Sequence, residues 1–116
     1  MQTESYHEKL KREMDNYAHL IYGLTSKYPK EEIYGIVSQL RRAGLSVVLN
    51  YTEGYARKRD KVHKNFLEIS YGSLKETLYL LHFSMIEKYI SSEDYKKALK
   101  LGDSIGGMLW GMMKNL

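Results

Sequence analysis

Arg57, Lys58, Arg59, Lys61 and Lys64 put five cations within eight residues, with Tyr55 just before them and His63 among them. Lysine and arginine at this density hold phosphate oxygens and position a nucleic-acid backbone without reading its sequence. Arg41, further up the chain, is expected to extend that surface, and Lys96, Lys97 and Lys100 form a second, weaker basic group. A charge run also serves as a solvated corner that aids solubility, so the cluster alone leaves the two roles evenly matched.

A second group has the types for chemistry but not the company. Gln39, Arg42, Ser46, Asn50 and Glu53 recur at helical spacing and form a narrow polar stripe. Such a stripe is either a catalytic cluster or a hydrogen-bonded network that sets helix register. The network is favoured, with Ser73 and Glu76 as counterparts on a neighbouring helix and Arg42 paired with an acid such as Glu76. The four histidines are scattered and none falls on the stripe, so no serine–histidine–acid constellation assembles. A di-metal bundle needs Glu-x-x-His on two helices and a further Glu on each of the others. Only Glu4 to His7 fits, and the Asp15–His19 spacing is a common coincidence. Asn50-Tyr51-Thr52 matches a glycosylation acceptor, but falls inside a helix, where the match is chance. The expectation is a non-enzyme with no metal and no cofactor.

Four helices would carry these groups, at about residues 4–27, 30–58, 61–89 and 92–115. In the first, Leu10, Met14, Tyr17, Ile21, Leu24 and Tyr28 alternate spacings of four and three, as in a bundle seam. Pro29 ends it, because the residue before a proline disfavours the α region, and Glu31 and Glu32 suit the start of the next helix. There Ile33, Ile36, Leu40, Ala43, Val47 and Tyr51 make an apolar arc. Leu45 and Leu49 lie across the polar stripe from it, so this helix needs neighbours on at least two sides, which points to an oligomer.

Asp60 is the expected N-cap of the third helix, whose inward residues read Val62, Phe66, Ile69, Ser73, Leu74, Leu78, Leu81 and Met85. Ser91-Ser92-Glu93-Asp94 caps the fourth, with Tyr95, Leu99, Gly102, Ile105, Leu109, Met112 and Leu116 as its seam. The spacings Gly102-x-x-x-Gly106 and Gly107-x-x-x-Gly111 suggest close helix approach near Trp110. Nothing alternates like a strand. The reading is an all-α, antiparallel up-down-up-down four-helix bundle in a single domain, residues 1–116.

Composition agrees with one soluble domain: 116 residues, 43% hydrophobic and 28% charged. A net charge of +4 raises the prior for a polyanionic partner without settling it. Eleven tyrosines against two phenylalanines suit surfaces that are partly apolar and partly wet. There is no cysteine, Met1-Gln2-Thr3-Glu4 lacks a signal-peptide pattern, and the longest uncharged runs are ten residues. A cytoplasmic protein with no membrane partner is expected.

The residues also carry a resemblance. Gln39-Leu40-Arg41-Arg42-Ala43, then Ser46, Asn50 and Glu53-Gly54, resembles the signature of small bacterial four-helix-bundle proteins first found encoded by intervening sequences within 23S ribosomal RNA genes. Phe66-Leu67-Glu68-Ile69, Tyr71-Gly72-Ser73-Leu74-Lys75-Glu76 and Gly107-Met108-Leu109-Trp110-Gly111-Met112 continue it, so that it spans Tyr28 to Leu116. Asn50-Tyr51-Thr52-Glu53-Gly54 departs from the usual Asn-Ile-Ala-Glu-Gly, and the first helix lacks the tryptophan many relatives carry. The resemblance implies a bundle that assembles into a ring, typically a homopentamer. A related protein, the accessory subunit of diversity-generating retroelements, is a basic pentamer that binds nucleic acid and a reverse transcriptase.

Together these readings give a basic, oligomeric, non-enzymatic protein that binds RNA or DNA through Arg57, Lys58, Arg59, Lys61, Lys64 and Arg41. Leu45, Leu49, Gly106 and Trp110 are its expected subunit contacts. The alternatives are a retroelement accessory subunit that binds a reverse transcriptase and its template RNA, and a protein–protein adaptor without nucleic-acid binding.

Overall fold

In the computed structural model, which describes residues 3–57 and 60–116, four helices follow one another: α1 Tyr6–Thr25, α2 Ile36–Tyr55, α3 Asp60–Ile86 and α4 Ser92–Met113. Ser5 opens α1 with a capping box, accepting from the Glu8 amide at 3.0 Å while Glu8 accepts from the Ser5 amide at 3.1 Å. Ser91 opens α4 in the same manner, accepting from the Asp94 amide at 3.0 Å. α3 begins at Asp60 itself, and the position before it lies outside the described residues.

Two boundaries differ from expectation. Pro29 starts not α2 but a single 3-10 turn, Lys30–Glu32. The chain then leaves helical geometry at Gly35 (φ −106°, ψ −114°), so α2 begins only at Ile36. Ile33 therefore drops off the apolar arc and is 51% exposed, while Tyr34 is 97% exposed. α3 ends earlier than expected because Lys88 takes a left-handed conformation, φ 66°. The Tyr89 amide then donates to Ser84 O (2.8 Å) and the Lys88 amide to Met85 O (3.0 Å), the paired bonds of a Schellman turn.

Each helix packs on its neighbours in the order α1–α2–α3–α4 and back to α1, with no backbone approach across either diagonal. Short connections make successive helices antiparallel, as an up-down-up-down bundle requires. Leu10, Met14, Tyr17 and Ile21 of α1 meet Leu40, Val47 and Tyr51 of α2 and Ile105 and Leu109 of α4 in the core. On α3 the buried set is Leu67, Ser70, Leu74, Thr77, Leu81 and Ser84. This spacing of three and four is a heptad seam in which every second position is a small hydroxyl residue. The hydroxyls are satisfied: Ser70 donates to Val47 O at 2.6 Å, Ser84 to Leu80 O at 2.7 Å, and Thr77 and Tyr17 bond each other at 2.8 Å across the bundle.

The expected inward face of α3 was rotated by this pattern. Ile69 is 44% exposed, and Leu67, Ser70, Thr77 and Ser84 hold the interior instead. On α4, Ala98 and Met113 join the buried seam and Leu116 is 39% exposed. Gly102 and Gly106 let α3 come close, since a Cβ at Gly102 would stand 2.8 Å from Leu78 Cδ2. Gly106 is thus buried inside the bundle rather than on an outer contact face, and Gly107 faces open space.

Candidate nucleic-acid interface

The corner between α2 and α3 is set by one residue without a side chain. A Cβ at Gly54 would lie 2.7 Å from Phe66 Cβ and 3.4 Å from the His63 carbonyl oxygen, so the helices meet at a distance only glycine permits. This approach brings Arg57 beside α3. Its guanidinium pairs with Glu53 one turn back and lies 5.8 Å from the Phe66 ring centre. Lys61 and Lys64 follow on the first turns of α3, both exposed. Lys58 and Arg59 lie outside the described residues.

α1 and α4 complete this end of the molecule. His7 stacks on Tyr55 with ring centres 3.6 Å apart and shares a 2.6 Å hydrogen bond with the buried Tyr51 hydroxyl. Burial raises the Tyr51 hydroxyl above the usual tyrosine range. Tyr6 donates to Met108 O at 2.7 Å, fastening the first turn of α1 to α4. α4 returns Lys114 to the neighbourhood of Lys64, and both line a hollow with Glu68 and Trp110. Lys114 and Trp110 were not read as part of the basic surface. The signal was present in the antiparallel order of α3 and α4, which places the end of one beside the start of the other.

Arg41 lies elsewhere. It lies fourteen residues before Tyr55, the last residue of α2, and so about 21 Å along the axis from the corner end of that helix. It donates from Nε to Thr25 Oγ1 at 2.9 Å and covers the Tyr22 ring at 4.6 Å, which ties α2 to the end of α1. It does not extend the corner. Lys96, Lys97 and Lys100 sit on the first turns of α4, at the opposite end of the bundle from Lys61 and Lys64.

The polar stripe runs along the α2–α3 seam in two parts. At its centre Ser46 and Ser73 bond at 2.8 Å, and Asn50 Nδ2 donates to the Ser46 hydroxyl and carbonyl, each at 2.9 Å. Towards the start of α2, Gln39 reaches Glu76 at a long 3.5 Å. Arg42 shares a cleft of about 520 Å3 with Gln39, Ser46, Ser73 and Glu76. The ion pairs among the described residues are Lys9–Glu13, Lys11–Asp15, Arg12–Glu4 and Arg57–Glu53, so Arg42 and Glu76 do not form the expected pair. Of the outer residues expected at a subunit contact, Leu45 is 38% exposed, Leu49 63% and Trp110 59%.

The far end is electrically mixed. Glu31, Glu32, Glu87, Glu93 and Asp94 collect there with Lys27, Lys30 and Lys88, and with Lys96, Lys97 and Lys100 on the first turns of α4. Tyr89 donates to Glu32 at 2.8 Å, and this carboxylate pushes the Tyr89 hydroxyl up to about 12. Among the described residues no group of three or more His, Asp or Glu side chains is placed to hold a metal ion. Nor is any described helix long and apolar enough to cross a membrane.

A closed antiparallel bundle with a basic α2–α3 corner and a polar α2–α3 seam defines the class: a small helical bundle protein. The chain belongs to the 23S rRNA-intervening sequence protein family, which matches residues 8–111. It is also similar to a solved structure from Bacteroides thetaiotaomicron, described as a protein with unknown function from the S23 ribosomal protein family. The two are 23% identical with a TM-score of 0.84, over 90% of this chain and 98% of that one, a likeness that establishes the fold. No curated protein matches the chain.

Proposed function

We propose that the chain is a non-enzymatic protein that binds RNA or DNA through backbone phosphates, as an accessory or scaffold for other machinery. The observation that carries this reading is the gathering of Lys61, Lys64 and Lys114 from two helices at one end, beside the corner that holds Arg57. Lys58 and Arg59 fall between Arg57 and Lys61 in the chain and belong to the same proposal. The opposite end sets five carboxylates, Glu31, Glu32, Glu87, Glu93 and Asp94, among its lysines.

Assembly of several copies is part of the proposal. Leu49 stands one turn from Ser46 and exposed Ile69 one turn from Ser73, so apolar side chains flank the bonded α2–α3 seam. A second copy over this strip would bury them and bring basic ends together, multiplying the local potential. Replacing Lys61 and Lys64 by Gln should weaken binding to every sequence alike and lower the salt slope by about one per lysine. Unchanged binding by this double variant, still helical by circular dichroism, would remove the corner from the site. Light scattering on the same samples tests assembly: a mass of one 13.6 kDa chain would remove the multi-copy part.

A further inference from the structure

Trp110 is the only tryptophan in the chain, and it is 59% exposed on α4. An exposed indole offers a partner an apolar face with a polar edge. Its setting says which kind. It forms one wall of a cavity of about 300 Å3 with Lys64 from α3 and Lys114 at the C-cap of α4. A second hollow of about 450 Å3, lined by Lys61, shares Lys64 and Glu68 with the first. The two adjoin at Lys64 and Glu68 of α3 to form a groove, with Glu68 the single carboxylate among its described lining residues, against three lysines. The core of a subunit interface is depleted in lysine, which argues against Trp110 as the centre of a contact between copies.

Resting on the nucleic-acid reading, we propose that this groove takes a single strand, with phosphates on Lys61, Lys64 and Lys114 and one unpaired base stacked on Trp110. Lys61 and Glu68 are seven residues apart on α3, about 10 Å along the axis, the rise of about three stacked nucleotides. A duplex keeps its bases stacked on each other and offers no free face to an indole at its surface. A single strand offers one at every nucleotide, and aromatic stacking tolerates any base. Lysines beside the ring hold the flanking phosphates. RNA and DNA single strands share this chemistry, and the choice between them is left to the ribose.

The full chain supplies its own probe, because all tryptophan fluorescence comes from Trp110. Oligouridine and oligothymidine of about 12 nucleotides, near the site size of a small single-strand binder, are titrated against a duplex of equal length. Both single strands should quench the emission; a difference in affinity between them ranks RNA against DNA. The duplex should not quench it. By anisotropy with labelled strands, Trp110→Phe should bind as the parent does, whereas Trp110→Leu should lose about tenfold in affinity. Leucine keeps the apolar bulk that a subunit contact needs and loses the stacking face, so parental binding by Trp110→Leu overturns the proposal. Binding of single strands without quenching, on a par with the duplex, also overturns it and leaves the phosphate reading standing. No binding by any probe overturns both.

Discussion

At Lys88 a long, charged side chain occupies a backbone position that suits glycine, φ 66°. The Schellman turn it closes ends α3 and turns the chain toward Ser91, and no residue type in that stretch announces it. Lys88→Gly should therefore stabilise the fold by about 1 kcal/mol, read as a higher midpoint in thermal or urea unfolding. A lower midpoint would mean that the lysine side chain contributes more than the strain removes. The buried hydroxyls were equally hard to see. Ser70, Thr77 and Ser84 occupy core positions, yet an apolar pattern search passes over them and settles on Ile69, which is exposed. Each can be buried because a helix carbonyl accepts its hydrogen bond, and Thr77 also bonds the Tyr17 hydroxyl. For Ser70 and Thr77 that information lies partly in other helices, whereas Ser84 bonds one turn back on α3 itself.

At the scale of elements, helix number and order were legible from periodicity and the cap of α4 from Ser91, while the Ser5 capping box was not read and Pro29 signalled a break but not the 3-10 turn after it. Proline fixes where a helix cannot continue, and Gly35 decides where the next one starts. The interhelical distances were legible only as glycines without assigned partners. Gly54→Ala places a methyl group against Phe66 Cβ and a backbone carbonyl, neither of which can swing aside. It should destabilise the bundle by about 1–3 kcal/mol despite the better helix propensity of alanine. Gly107→Ala, with nothing within 4 Å of the added Cβ, should instead gain up to about 1 kcal/mol. Thermal melts of the pair decide the point. Equal effects would contradict the packing described for the α2–α3 corner.

On the whole molecule, charge is arranged by the fold rather than by the chain. The run from Arg57 to Lys64 is visible in one dimension, but Lys114 reaches it only because α4 ends where α3 begins. Arg41, near the run on paper, is carried to the other end of α2 and committed to Thr25 and Tyr22. The polar stripe was legible as a stripe, and its Ser46–Ser73–Asn50 centre has the partners expected of it. Arg42 and Glu76 share a cleft without pairing, because facing positions on two helices do not fix where two long side chains end.

The central claim is that the basic end holds phosphates. The most direct measurement follows the affinity of the purified chain for a labelled single-stranded RNA by anisotropy at several salt concentrations. The account predicts binding whose logarithm falls linearly with the logarithm of salt, with a slope of about −2 or steeper for three lysine contacts per chain. Absence of binding near physiological salt, or binding indifferent to salt, would contradict it and leave the corner as solvated surface.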